Sequence, residues 1–204
     1  MKKLIAAVAF IGVALNGAYA ELFTFDLLNK NGVSWDGVSS GIYTNAGSTL
    51  TLEASMFAYL NGSYSSGSQL NSTASEFGIN AAGSGDAASL FDTINGQEAL
   101  WVSFNHAVTI KSLTVSSFTG GNVETGAYQV ANGNLIKVTS GGTYTVETTL
   151  NQGVFFKITA LNTGGGNGWS LNSFTVEAVP EPATITMLGL GGLAVCVIRR
   201  ASRI

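Results

Sequence analysis

Between Thr49 and Met56 the chain alternates without a break. Leu50, Leu52, Ala54 and Met56 fall on one side, and Thr49, Thr51, Glu53 and Ser55 on the other. A period of two describes a strand with one buried face and excludes a helix over that stretch. The same period returns at Phe23, Phe25 and Leu27, and at Leu100, Val102 and Phe104 with Trp101 and Ser103 turned the other way. It returns again at Tyr144, Val146, Thr148 and Leu150.

Between these stretches stand turn signals. Tyr128 and Val130 face Leu135 to Val138 across Ala131-Asn132-Gly133-Asn134, the composition of a hairpin. Val108, Ile110, Leu113 and Val115 keep the alternation except at Lys111-Ser112, where a slip predicts a bulge. Val154 to Leu161 reads as a nearly continuous apolar strand, and Trp169 to Ala178 as the last strand, which should end at an edge of the sandwich. Trp35, Ile42 and Tyr43 fall in a looser region, and the Ser/Gly/Asn-rich stretch from Asn61 to Ser75 reads as a long surface loop. Roughly ten short strands, with turns every 8–12 residues or so, predict an all-β fold, a jelly-roll-like β-sandwich over residues 21–178.

The two ends follow different rules. Met1 to Ala20 has the form of a signal peptide: Lys2 and Lys3, an apolar run from Leu4 to Leu15, then Ala18-Tyr19-Ala20 as a cleavage site. Residues 179–204 combine three pieces: Val179-Pro180-Glu181-Pro182, an uncharged run from Ala183 to Ile198, and a basic end with Arg199, Arg200 and Arg203. The prolines break helix and sheet alike. The run of 16 residues makes a helix of ~24 Å. That is short of the ~30 Å hydrocarbon core of a bilayer, but flanking arginines can snorkel to close the gap. The arginines should stay on the cytoplasmic side, placing the rest across the membrane.

This ordered triad resembles a PEP-CTERM sorting signal. The resemblance covers the last 26 residues and implies a bacterial protein that is exported, held transiently in the inner membrane by Ala183–Ile198, and processed there by an exosortase. A looser resemblance, over Phe77 to Phe118, is to the extracellular β-domains that accompany such tails. It implies no catalytic residue.

Setting the ends aside changes the charge. Residues 21–182 hold four lysines (Lys30, Lys111, Lys137 and Lys157), no arginine and all twelve acids, a net charge of −8. A domain so acidic is no partner for nucleic acid, whose phosphates need clustered cations. Cys196, the only cysteine, lies in the apolar run, so the exported part has no disulfide and no thiolate.

Candidate chemistry is sparse. His106, the only histidine, sits at an expected turn, and no nucleophile-elbow motif accompanies it. Asp86, Asp92 and Glu98 fall in one loop-rich stretch; they are candidate calcium ligands, a carboxylate pair for glycan hydrolysis, or solvated loop acids. Trp35, Trp101, Trp169 and the tyrosines are candidates to stack on sugar rings, and each tryptophan is also a candidate to fill the core. The reading that follows is a surface or matrix-associated structural or binding protein working within extracellular polysaccharide, without enzymatic activity. Its rivals are a calcium-stabilised glycan-binding module and a carboxylate-based glycan-degrading enzyme.

Overall fold

A computed structural model describes residues 20–28, 35–47, 50–64, 67–81, 90–118, 125–162 and 168–179. Ala18, Asp86, Pro180 to Pro182, the run Ala183–Ile198 and Arg199, Arg200 and Arg203 lie outside the described residues, so the expectations placed on them do too. Glu21–Val179 forms a compact unit by itself.

The described residues are all β. The first strands are β1 (Leu22–Asp26), β2 (Ser40–Ala46), β3 (Thr51–Leu60), β4 (Ser63–Tyr64), β5 (Ser68–Ser72) and β6 (Phe77–Ala81). There follow β7 (Glu98–Phe104), β8 (Val108–Ser116), β9 (Thr125–Val130), β10 (Ile136–Val138), β11 (Gly142–Leu150), β12 (Phe156–Asn162) and β13 (Ser170–Ala178). One sheet has the order β1-β13-β8-β11. The larger runs β10-β9-β12-β7-β3-β2, with β4 beside β3, and β5 and β6 pair separately. All pairings are antiparallel. Four of them nest: β1 with β13, β7 with β12, β8 with β11 and β9 with β10.

The two large sheets face each other, and alternation decides what lies between them. Leu52, Ala54, Met56 and Ala58 of β3 are buried, as are Leu100, Val102 and Phe104 of β7. From the smaller sheet come Phe23, Phe25, Ile110, Leu113, Phe174 and Val176, also buried. Phe25 stacks on Phe174 with centroids 4.9 Å apart, and Phe104 closes on both from the opposite sheet at 5.9 and 6.0 Å. Each phenylalanine so buried stabilises the fold by about 1.5–3 kcal/mol.

The bulge foreseen at Lys111-Ser112 is present. Opposite the β13 pair Thr175 and Val176, strand β8 runs from Ser112 to Ile110 with Lys111 as the extra residue. The hairpin across Asn132-Gly133 is present as β9 and β10.

Two expectations change. Asn61–Ser75 is not simply a surface loop: it carries β4 and β5, and Ser68, Leu70 and Ser72 are buried against the rest of the unit. Serine is small enough to be enclosed there, and the Ser72 hydroxyl accepts the Trp35 amide hydrogen at 3.3 Å. Ile42 and Tyr43 belong to a regular strand, β2. The last strand, β13, lies between β1 and β8.

Candidate functional site

Strand β7 turns Leu100, Val102 and Phe104 inward, so Trp101 and Ser103 face out from the larger sheet. The register then fixes Trp101's neighbours. Phe57 of β3 lies opposite Trp101 on one side and Lys157 of β12 on the other, with Ser40 beyond Phe57 and Gln129 beyond Lys157. Directly opposed residues share a face, so Ser40, Phe57, Trp101, Lys157 and Gln129 make one row across five strands. In the next row Tyr64, Tyr59, Ala99, Thr159 and Ala127 are opposed in the same way.

Five aromatic rings gather on this outer face. Tyr59 lies flat on Trp101, centroids 4.5 Å apart and planes within 16°. Phe155 meets the indole edge-on at 5.3 Å, and Phe57 meets Phe155 at 6.1 Å. Tyr64 closes the group against Phe57 and Tyr59 at 6.2 and 6.0 Å. Such offset and edge-on pairs add about 0.5–1.5 kcal/mol each beyond area burial. Tyr64 is half-exposed, and its hydroxyl lies 3.0 Å from that of Ser39. Hydrogen bonding to Ser39, then to Ser40, holds its phenol below the ordinary value.

With Tyr59 against one face, the rest of the Trp101 indole borders a shallow recess of about 230 Å³. Phe155, Val154 and Lys157 line it with Gln129, Ala131 and Asn132. The Gln129 side-chain amide donates to the Gly133 carbonyl at 2.7 Å, which pins it over the hairpin turn. Enclosed ligand pockets commonly reach ~300–1,000 Å³. This recess suits a flat ring laid on an aromatic surface, with Gln129, Asn132 and Lys157 at its rim.

The other tryptophans stand elsewhere. Trp35 and Trp169 are core residues, 4% and 1% exposed. Trp169 is sandwiched between Phe91 at 4.9 Å and Phe118 at 5.8 Å, and Trp35 packs on Tyr43 and Phe77. Neither presents a ring to a ligand.

Asp92 and Glu98 come together, but inside the unit, both fully buried. The Asp92 amide donates to Glu98 Oε2 at 2.8 Å, the Ile94 amide donates to Asp92 Oδ1 at 2.9 Å, and the Glu98 amide donates to the Asp92 carbonyl at 3.3 Å. These carboxylates hold a loop closed. Glu98 shares the inward side of β7 with Leu100, opposite to Trp101, so these two acids and the indole do not meet in one cleft. Among the described residues no three His, Cys, Asp or Glu side chains gather as a metal site. His106 lies in the bend between β7 and β8, half-buried.

The sequence pointed to Trp101 and, among the tyrosines, to Tyr59 and Tyr64, but not to Phe57, Phe155 or Lys157. Phe57 and Tyr59 occupy the outward positions that continue the Glu53, Ser55 series, a signal that was present. Tyr64, Phe155 and Lys157 join through pairing between distant strands.

The β-unit thus precedes a C-terminal membrane-anchoring sorting signal, and the chain is an exported protein. That signal is a PEP-CTERM protein-sorting motif, matched over residues 178–202, of the kind that an exosortase processes. No curated protein and no solved structure matches the chain.

Proposed function

We propose that the β-unit is a non-catalytic binding module that holds extracellular polysaccharide on its Trp101 face, and that exosortase processing delivers it to the cell surface or matrix. The five-ring cluster on the outward face, beside a ring-sized recess with polar donors at its rim, carries this reading. Contiguous aromatic patches on an outer face commonly mark binding sites, unlike single exposed rings. Sugars present one apolar face to such rings and hydroxyls to the rim. The nested pairing of β1 with β13, β7 with β12, β8 with β11 and β9 with β10 supports a jelly-roll sandwich, with β2 and β3 extending the larger sheet. The inward burial of Asp92 and Glu98 supports binding rather than hydrolysis.

The test is co-sedimentation of Glu21–Val179 with the producing cell's own exopolysaccharide, together with an assay for new reducing ends. The expected result is retention without release, lost in Trp101→Ala. Retention unchanged in Trp101→Ala overturns the assignment of this face. Release of reducing ends overturns the non-catalytic reading.

A further inference from the structure

We infer that the sugar taken on this face is acidic, its anionic group held by Lys157; the inference rests on the binding reading above and names the ligand class.

The argument starts from where charge lies. Among the described residues only three lysines occur, in a unit, Glu21–Val179, whose sequence carries a net charge of −7. Lys111 is committed elsewhere: on the smaller sheet it pairs with Glu147 and with Glu177, the latter at 3.4 Å. Lys157 and Lys137 both lie on the outer face of the larger sheet. Lys157 is directly opposite Trp101, and Lys137 is opposite Ala127 in the Tyr59 row. Neither makes an ion pair among the described residues.

The acids avoid that face. Asp26 and Glu177 pair with Ser173 and Thr109 across the smaller sheet, Glu147 sits beside Lys111 there, and Asp92 and Glu98 are buried. On the strands of the larger sheet the one outward acid among the described residues is Glu53, opposite Thr44. It stands four residues along β3 from Phe57, about 13 Å away at ~3.3 Å per residue. The aromatic face is therefore the cationic face of an anionic unit. An anionic polymer is repelled by such a protein in general and admitted at this one place.

The spacing fits a single sugar. Adjacent strands are ~4.8 Å apart, so Lys157 stands one strand from Trp101, and it lines the same recess. A ring laid on Trp101 beside Phe155 would bring an exocyclic carboxylate or sulfate within reach of Lys157, while Gln129 and Asn132 meet its hydroxyls.

The test compares binding of Glu21–Val179 to polygalacturonate, to its fully methyl-esterified form and to dextran sulfate, at low and at high salt. The expected order is acid over ester, with an advantage that salt erodes. Lys157→Gln should weaken polygalacturonate binding by about fivefold, as a partly exposed charge pair does, and leave the ester unaffected. Lys111→Gln, which changes net charge equally on the other sheet, should change nothing. Preference for polygalacturonate identifies a carboxylate sugar, and preference for dextran sulfate a sulfated one. Trp101→Ala should abolish binding to all; if it does not, the binding face itself is misassigned. If Trp101→Ala abolishes binding but the ester binds as tightly as the acid and Lys157→Gln is silent, the acidic-sugar inference alone falls. Binding to none of the three polymers overturns it as well.

Discussion

Glu98 reaches back over five residues to accept the amide hydrogen of Asp92 at 2.8 Å, and both side chains are fully buried. Around this clasp the loop is stitched further. Asn61 and Gln97 exchange backbone and side-chain hydrogen bonds at 2.8 and 2.9 Å, and the Gln97 side chain donates to the Ala160 carbonyl. Buried carboxylates that accept backbone amides stabilise, and removing one leaves its donor unsatisfied. Glu98→Ala should therefore destabilise the unit by about 2–3 kcal/mol, read as a lowered urea midpoint. Excess EDTA should leave the melting temperature of the wild type unchanged, because a cation bound only by the folded state would otherwise stabilise it by mass action. A drop with EDTA that calcium reverses would show that these loop acids do hold a cation.

The three tryptophans should separate by position. Trp169 lies between two phenyl rings, and its indole also fills the space over Gly126, where a Cβ would come within 2.5 Å of it. Trp169→Ala should cost about 3–5 kcal/mol, and Gly126→Ala about 1–3 kcal/mol by overpacking. Trp101, on the outer face, should cost less than either core tryptophan when replaced by alanine, while removing polysaccharide binding. Equal destabilisation by Trp101→Ala and Trp169→Ala would mean that the outer cluster is a second core rather than a binding face.

What the sequence disclosed follows from which forces are local. The alternations at Leu50 to Met56 and Leu100 to Phe104 are set by burial of one face, and they appear in the structure as β3 and β7. β2 was hidden because Gly41 stands where an inward side chain would be. The Trp35 ring fills that place, and a Cβ on Gly41 would meet it at 2.5 Å. β5 was hidden because its buried positions include Ser68 and Ser72, residues whose small size suits a tight site but whose polarity reads as loop. The outward side of Trp101 was legible from its own strand. Its partnership with Phe57 and Lys157 was not, since that depends on β3, β7 and β12 being neighbours, which no local pattern encodes.

Alkaline pH should weaken the fold in a defined direction. Burial, then the charge of Asp26, raises the phenol of Tyr43, and burial raises that of Tyr128. A group whose folded value lies above the ordinary ~10 contributes stability that is full below ~10 and is lost as pH rises through the folded value. The amine of Lys111, raised by its hydrogen bond to Glu147, acts in the same sense. The urea midpoint should hold steady up to about pH 10 and fall beyond it. Tyr128→Phe should flatten that fall, and an unchanged fall in this variant would sink the assignment to Tyr128.

The junction between the unit and its sorting signal is sharply placed. The Ala178 amide donates to the Glu21 carbonyl and the Val179 amide to the Ala107 carbonyl, both at 2.9 Å, so backbone pairing runs through Val179. Because β13 lies between β1 and β8, it also carries Phe174 and Val176 into the core. A chain ended after Ser173 would lose both residues and leave β1 and β8 without their shared partner. It should not unfold cooperatively. A chain ended after Val179 should melt at the same temperature as one ended after Pro182, since among the described residues the last backbone hydrogen bond is that of Val179. Replacing Pro180-Glu181-Pro182 by alanines should likewise leave the melt unchanged, yet it should keep the full-length protein in the membrane fraction, with Met187 to Ile198 still detectable by mass spectrometry. A lowered melt in the alanine variant would mean that the proline motif belongs to the fold. Normal release of that variant, with residues 187–198 removed, would mean that processing does not read the motif.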